Sequence, residues 1–191
     1  MNKKLIMSIF TALCAALIAA GAFIAIPAGP SMVPIVLQNM LAVLAGSLLG
    51  GLNGGLAALL FVFAGALGLP VFSGGRGGFA HLLGPTGGFL TGYIIAAFAA
   101  GFIAGRPSLS EKKSKRIVFV RICLATLAGF IILYVPGVLW FMYSRKASLG
   151  ATMAACVIPF IPGDCIKMVL TVILSLKLRP LIARYAEESG N

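Results

Sequence analysis

Charged residues are scarce in this chain of 191 residues, at 10%, whereas hydrophobic residues make up 60%. Soluble domains carry about 25% charged residues, so this composition excludes an ordinary soluble protein. Between Leu5 and Gly75 there is no Asp, Glu, Lys, Arg or His. That stretch is far longer than one crossing of a hydrocarbon core of about 30 Å, so it must fold back on itself within a membrane.

Side chains that bind metals or perform acid–base chemistry are also rare. The chain has one histidine and four acidic residues, and its four cysteines show no CxxC spacing. A metal site is therefore not expected, and a membrane enzyme with paired carboxylates is disfavoured. We expect no cofactor. The net charge of +11 does not indicate a nucleic-acid partner, because the basic residues cluster at a few loops of an apolar chain.

Glycine, proline and charged residues divide the chain into six apolar segments. These segments lie at about 5–26, 35–50, 54–70, 87–105, 117–137 and 162–182. We therefore predict an all-α membrane protein, a single domain over residues 1–191 with six transmembrane helices and structured outer loops. The first segment is expected to remain uncleaved, because the rest of the chain is equally apolar.

Two connections are interpreted from their composition. The stretch GGLNGG at 50–55 predicts a tight turn between two antiparallel helices. The segment 138–161 contains Arg145 and Lys146 and is interpreted as an outer loop with partial helical structure.

Orientation follows from the distribution of lysine and arginine. With six spans, both termini and the loop 106–116 lie on one side, together with 11 of the 15 basic residues; the other side holds Arg76, Arg145, Lys146 and Lys167. The positive-inside rule then makes the richer side cytoplasmic, with both termini in the cytoplasm of a multi-pass protein of the cell membrane. The basic run in 106–116 is most simply a solvated loop.

Two outer loops are candidates for the walls of a ligand site. The loop 26–34 contains three prolines and is expected to be stiff and extended, either as a connector or as a lid above Gln38 and Asn39. The loop 71–93 contains eight glycines, which permit close approach of the backbone to a small molecule, although a purely structural re-entrant turn remains an alternative. Arg76 and His81 face either that cavity or bulk water.

The stretch PFIPGDCIKMVL at 159–170 places an acid and a base one helical turn apart between apolar runs. One interpretation is that Asp164 caps a helix after Pro162 and Gly163 while Lys167 extends toward water. The other is a substrate site, since ionisable residues at membrane depth usually mark a substrate path. An aspartate accepts from ligand N–H groups and a lysine neutralises a carboxylate, so the pair suits a small acid with amide-like donors.

The first helix carries Ala12, Ala16 and Ala20 at four-residue spacing. Small residues at this spacing allow another helix to approach closely. The partner helix belongs either to this bundle or to another protein.

Three stretches together resemble a known family. They are IPAGPSMVPIVLQNMLAVLAGSLLG near the start, GGRGGFAHLLGPTGGFLTGY in the middle, and GVLW followed by PFIPGDCIKMVL near the end. In these the chain resembles the BioY family, the biotin-specific S components of energy-coupling-factor (ECF) vitamin transporters. The combination of GPTGG with a late Gly-Asp-x-x-Lys carries the resemblance.

The resemblance implies a protein that captures biotin with high affinity at its outer face. By the resemblance, Asp164 and Lys167 form the polar pair of the site, and the loops Gly74–Gly88 and Pro27–Pro34 form its walls and lid. Taken together with the analysis of the residues above, the ligand-binding candidates are Gln38, Asn39, Gly75, Arg76, Gly77, Thr86, Tyr93, Asp164 and Lys167. The resemblance further implies docking of Ala12, Ala16 and Ala20 on a transmembrane coupling subunit, with ATP hydrolysis on two separate ATPase subunits. The chain itself contains no GxxxxGK[ST] phosphate loop and is not expected to be an enzyme.

Two other functions remain open at this point. The same architecture serves another small vitamin if side chains such as Asn39, Tyr93 and Trp140 select a different ligand. A ligand-free assembly subunit is the second alternative, in which replacing Asp164 or Lys167 affects folding only.

Overall fold

The computed structural model describes residues 3–26, 35–109 and 114–188. Its regular structure is helical apart from one short pairing, in which β1 (Ala25–Ile26) runs antiparallel to β2 (Ile35–Val36). In chain order the helices are α1 (Lys3–Ala20), α2 (Gln38–Leu49), α3 (Gly51–Ala66), α4 (Phe79–Leu82), α5 (Gly87–Ala104), α6 (Lys115–Arg145), α7 (Leu149–Cys156), the 3₁₀ turn Ile158–Phe160 and α8 (Ile161–Glu188).

Four helical runs are long and apolar enough to cross a membrane: Lys3–Ala20, Gly87–Ala104, Lys115–Arg145 and Leu149–Glu187. The helices α2 and α3 are apolar but have only 12 and 16 residues. They therefore extend over about 18 and 24 Å. Each of the six predicted segments contains a helix, and the pattern is that of a multi-pass membrane protein.

Helix α2 lies at the centre of the bundle, because 11 of its 12 residues are buried. It contacts α1, α3, α5, α6 and α8. Glycine allows this crowding: a Cβ on Gly46 would lie 2.2 Å from the carbonyl oxygen of Ala97, and one on Gly54 would lie 2.3 Å from Gly46 Cα. The backbones of α2, α3 and α5 therefore touch where a larger side chain would separate them.

The turn between α2 and α3 is shorter than the predicted turn, which covered the six residues GGLNGG. Only Gly50 separates the two helices, and α3 begins at Gly51. Gly50 has φ +83°, a left-handed conformation that glycine adopts without strain. The remaining residues of that stretch are helical because Gly54 and Gly55 are needed for close packing, where any Cβ would collide with α2 or α5.

The segment 138–161, interpreted as an outer loop with partial helical structure, is helical for most of its length. Helix α6 continues through Pro136 to Arg145, and α7 and the 3₁₀ turn occupy much of the remainder. A proline inside a membrane helix is tolerated where neighbouring elements accommodate it. Here Gly88 and Gly92 of α5 provide the room, since Cβ atoms there would lie 2.4 Å from Pro136 O and 3.1 Å from Pro136 Cγ.

One end of the bundle, which we call the basic end, brings together α1, α2, α5 and α8. The rings of Phe10 and Tyr185 are 6.5 Å apart, so the first half of α1 lies beside the last turns of α8. The fully buried Arg179 donates to the carbonyl oxygens of Ser47 and Gly105, at the C-terminal ends of α2 and α5. A cation is favourable there because it binds otherwise unpaired carbonyls at the negative ends of two helix dipoles.

Candidate functional site

Asp164 and Lys167 lie on the first two turns of α8 and are both buried, at 4% and 5% exposure. Helix α8 begins at Ile161, so Pro162 and Gly163 are inside its first turn and Asp164 is not the residue that precedes the helix. The interpretation as a helix cap with an outward-pointing lysine was therefore wrong. Proline is compatible with the first turn because the amide it lacks would have no helical partner there.

The ammonium group of Lys167 is fully coordinated by protein atoms. Its Nζ donates to the carbonyl oxygen of Val36 at 2.9 Å, to Asn39 Oδ1 at 3.0 Å and to Asp164 Oδ1 at 3.0 Å. Because an ammonium has three N–H groups, these bonds use all of its donors. Lys167 thus ties α8 to β2 and to the start of α2.

The carboxylate of Asp164 receives three hydrogen bonds, one of them from the lysine. Asn39 Nδ2 donates to Asp164 Oδ1 at 3.0 Å, and Tyr134 Oη donates to Asp164 Oδ2 at 2.5 Å. A buried charge is costly unless it is paired and hydrogen-bonded, and this one is both. The network joins side chains of α2, α6 and α8, which are far apart in the sequence.

The network borders a partly open cavity, in which the space open to water-sized molecules is about 40 Å³. Its wall consists of Val36, Gln38, Asn39, Ser73, His81, Thr86, Phe89, Leu90, Tyr93, Leu133, Tyr134, Cys156, Phe160 and Lys167. A mostly apolar lining with a few polar groups is the composition typical of small-molecule sites. Asp164 lies behind Asn39, Tyr134 and Lys167 and instead lines a cleft between α6 and α8.

Gln38, Thr86 and Tyr93, three of the predicted site residues, also line this cavity. Both N–H groups of Gln38 point to backbone carbonyls, those of Ile18 at 3.3 Å and Val71 at 2.9 Å. Gln38 therefore also connects α2 to the end of α1 and to the segment that follows α3.

His81 is a cavity residue whose side-chain position is well defined. Its Nε2 lies 3.3 Å from Thr86 Oγ1, and its ring stacks on the buried ring of Phe72 at 5.3 Å between centroids. Burial and, secondly, the positive charge of Arg76 lower the pKa of His81 below its usual value. The imidazole is therefore neutral at neutral pH.

Gly75, Arg76 and Gly77 are exposed and are not part of the cavity wall. Their segment forms a turn closed by backbone hydrogen bonds between Phe72 and Arg76. Gly75 has φ +69°, whereas a Cβ on Gly77 would lie 2.2 Å from the carbonyl oxygen of Leu69. The turn needs glycine for its own conformation and packing, and its neighbours Ser73 and His81 reach the cavity. The predicted proline-rich lid lies outside the described residues, except at its first residue.

Tyr134 was missed in the sequence, as was the aromatic wall formed by Phe89 and Phe160. Tyr134 could have been found as a phenol in the middle of an otherwise apolar span. A polar group at that depth requires a partner, so its presence is a signal. No sequence signal connected it to Asp164, since the two residues meet only when α6 packs against α8.

The alanines of the first helix, Ala12, Ala16 and Ala20, are all exposed. They lie beside the exposed leucines Leu13 and Leu17, on the face of α1 turned away from the bundle. The alanines therefore do not pack against another helix of this bundle, which was the alternative interpretation. In the part of the chain that the structure describes, no three His, Cys, Asp or Glu side chains gather as a metal site would require.

Comparisons with known proteins agree on one family. The model of the BioY family matches residues 1–184. The biotin transporter BioY of Rhodobacter capsulatus is 43% identical over 168 residues, which cover 83% of this chain and 85% of that protein. The biotin transporter BioY of Thermotoga maritima is 36% identical over 184 residues, covering 95% and 98%.

Among solved structures, the S-component for biotin from an ECF-type ABC transporter matches with a TM-score of 0.81. The sequences are 32% identical, and the match covers 94% of each chain. The relatives and the solved structure therefore agree in sequence, fold and extent, and this chain belongs to the BioY family.

Proposed function

We propose that this chain binds biotin at the end of the bundle remote from the basic end and serves as the S component of an ECF-type ATP-driven transporter. Relatives named biotin transporters, matched over most of their length, support this function. The solved S-component for biotin has the same fold. The chain is thus assigned to transport rather than to catalysis.

The observation that carries the proposal is the Asn39–Tyr134–Asp164–Lys167 network at the cavity wall. Asn39 Nδ2 has a second N–H group, which suits the carbonyl oxygen of biotin's urea ring. Tyr134 donates its proton to Asp164, so its oxygen keeps a lone pair that accepts from a urea N–H. Asp164 accepts a hydrogen bond from each of these two groups, and Lys167 donates to Asn39, so the charged pair holds both groups in position.

Apolar contact supplies the rest of the binding surface. Phe89, Leu90 and Leu133 line the cavity and suit the thioether ring and hydrocarbon tail of biotin. Burial of apolar ligand surface contributes about 25 cal/mol per Å² to binding. The urea loses its hydrogen bonds to water, and hydrogen bonds to the protein offset that desolvation cost.

Thermal unfolding of the detergent-purified protein tests the assignment. A ligand at 100 times its dissociation constant raises stability by about 2.7 kcal/mol, which is about 5–10 °C for a chain of this size. We expect this shift with biotin, and we expect Asp164→Asn to abolish it. Thr91→Val, which removes an exposed hydroxyl of α5 outside the cavity, should preserve it. No shift in the parent protein at saturating biotin overturns the assignment, and thiamine and riboflavin should give none.

For the topology, we propose one membrane domain with six crossings and the basic end in the cytoplasm. The side-by-side arrangement of Phe10 and Tyr185 supports termini on the same side. The shortness of α2 is compatible with a crossing because protein, rather than lipid, surrounds it. A reporter that works only in the cytoplasm should be active when it is fused to the C-terminus. A reporter that works only outside the membrane should be inactive at the same position.

For the partners, we propose that the exposed stripe of Ala12, Ala16 and Ala20 docks on a transmembrane coupling subunit, with two ATPase subunits completing the module. Small side chains on an exposed face allow a second helix to approach closely. Ala16→Trp should prevent co-purification with that subunit without changing biotin binding. Ile95→Trp, at an exposed position of α5, is the matched control.

A further inference from the structure

A groove between α6 and α8 opens at the basic end of the bundle. The space in it that is open to water-sized molecules is about 370 Å³, compared with about 40 Å³ in the ligand cavity. Val118 and Phe119 of α6 form one wall, and Leu176 and Pro180 of α8 form the other. The groove shares no lining residue with the ligand cavity, so it is a separate concavity with mostly apolar walls.

The groove lies on a face of the bundle that contacts lipid in a membrane. Phe119 in its wall is 49% exposed. Apolar side chains beside the groove on both helices are also exposed, namely Ile117, Val120, Leu178 and Leu181. A polar occupant would lose its hydrogen bonds to water against such walls, whereas a hydrocarbon chain loses none. The walls therefore suit an acyl chain.

Basic side chains lie at the mouth of the groove. Lys115, in the first turn of α6, lines the groove and is exposed. It makes no hydrogen bond or ion pair with any other residue that the structure describes. Arg116 and Lys177 follow groove-lining residues in the chain and are exposed as well. The mouth of the groove thus offers a cation, Lys115, to an anionic group.

The two other polar side chains of the groove wall are engaged within the protein. Ser108 Oγ donates to Glu187 Oε1 at 3.3 Å. The guanidinium of Arg179 donates to the carbonyl oxygens of Ala104 and Gly105, as it does to that of Ser47. Among the polar side chains that line the groove, Lys115 is therefore the one placed to bind an anion.

We propose that this groove binds an anionic phospholipid, with one acyl chain between α6 and α8 and the phosphate at Lys115. A lysine binds phosphate as a point charge. Basic pockets between membrane helices on the cytoplasmic side suit anionic headgroups, which are concentrated in that leaflet. The exposed charges of Arg116 and Lys177 add to the attraction. The inference goes beyond biotin transport and does not depend on it, because no residue of the ligand cavity takes part.

Native mass spectrometry of the detergent-purified protein tests the proposal. The protein is titrated with dioleoyl phosphatidylglycerol or with dioleoyl phosphatidylcholine, which have the same acyl chains but differ in net charge. We expect phosphatidylglycerol to bind at least about fivefold more tightly, the factor that corresponds to about 1 kcal/mol for one basic residue near an anionic lipid.

The variants separate the charge of Lys115 from the general charge of the basic end. Lys115→Gln should weaken phosphatidylglycerol about fivefold and leave phosphatidylcholine unchanged, whereas Lys115→Arg should keep the preference. Lys3→Gln is the matched control, because it removes an exposed positive charge at the start of α1, outside the groove. Phe119→Ala removes part of the wall and should weaken both lipids by the same factor. Leu124→Ala, at an exposed position of α6 outside the groove, should change neither.

Three outcomes overturn the inference. Equal affinity of the parent protein for the two lipids shows that the anionic headgroup is not recognised. An equal loss in Lys115→Gln and Lys3→Gln shows general attraction to a basic surface. Displacement of phosphatidylglycerol by an equal concentration of glycerol phosphate shows a site for free anions, in which the acyl chain has no part. Should Lys115→Gln not fold, Phe119→Ala decides, and unchanged affinity for phosphatidylglycerol in that variant overturns the inference as well.

Discussion

The Asp164–Lys167 pair allows the stability of the fold to be separated from ligand binding. The side chains are only 6% and 7% exposed, and the distance between Nζ and Oδ1 is 3.0 Å. Removing one partner of a buried pair leaves an uncompensated charge and costs about 3–5 kcal/mol, whereas replacing both partners is close to neutral. We therefore expect Lys167→Met to lower the melting temperature by roughly 6–20 °C and Lys167→Met with Asp164→Asn to recover most of that loss.

The assay is the apparent melting temperature in detergent at one scan rate, because membrane proteins often unfold irreversibly. Biotin should raise it in the parent protein and in neither variant, since both lose the group that positions Asn39. The reasoning is refuted if the free energy of unfolding of the single variant lies within about 1 kcal/mol of that of the parent protein. It is also refuted if the double variant is no more stable than the single one, because the two charges are then not coupled.

Three further predictions concern other parts of the molecule. Arg179→Lys should cost at least about 2 kcal/mol in thermal unfolding, because one ammonium cannot replace a planar guanidinium that binds the ends of two helices. Gly88→Ala should lower the free energy of unfolding by about 1–3 kcal/mol, since its Cβ would lie 2.3 Å from Trp140 Cβ. As the control, Gly150→Ala places its Cβ where nothing lies within 4 Å and should be neutral or stabilising. Equal melting temperatures of the two variants would contradict this prediction. Because burial and the charge of Arg76 lower the pKa of His81, the positive charge that its protonation adds to the cavity wall should tighten biotin binding only as the pH falls below the usual value of 6.5. Titration calorimetry should show no such gain in His81→Phe.

The approximate positions of the apolar helices could be predicted because apolar runs in a membrane protein have few structural alternatives. A backbone in lipid must satisfy its own hydrogen bonds, so each run predicts a helix. The ends of the helices were harder to predict. Segments were taken to end near the glycines at 50–55 and at residue 137. These glycines and Pro136 instead lie inside or next to closely packed helices, which only the arrangement of α2, α3, α5 and α6 reveals.

The candidate site was predictable in its charged residues and less so in its neutral ones. Asp164, Lys167 and Asn39 could be selected from sequence because polar side chains in apolar surroundings are conspicuous. Tyr134 and His81 carried weaker signals, and their importance depends on partners 30 and 5 residues away. The glycine-rich composition also suggested Gly75, Arg76 and Gly77, which lie in an exposed turn outside the wall of this cavity.

The sequence by itself determined that the chain is a helical membrane protein with one acid and one lysine placed a helical turn apart in apolar surroundings. Composition and apolar run length decide this, because the bilayer penalises any other arrangement. Only the tertiary structure decided which neutral groups these two charges contact. Packing of α2, α6 and α8 closes the Asp164–Lys167 pair on Asn39 and Tyr134, so the charges support neutral groups at the cavity wall. Hydrogen bonds act over about 3 Å and depend on direction, and such geometry exists only once distant helices have come together.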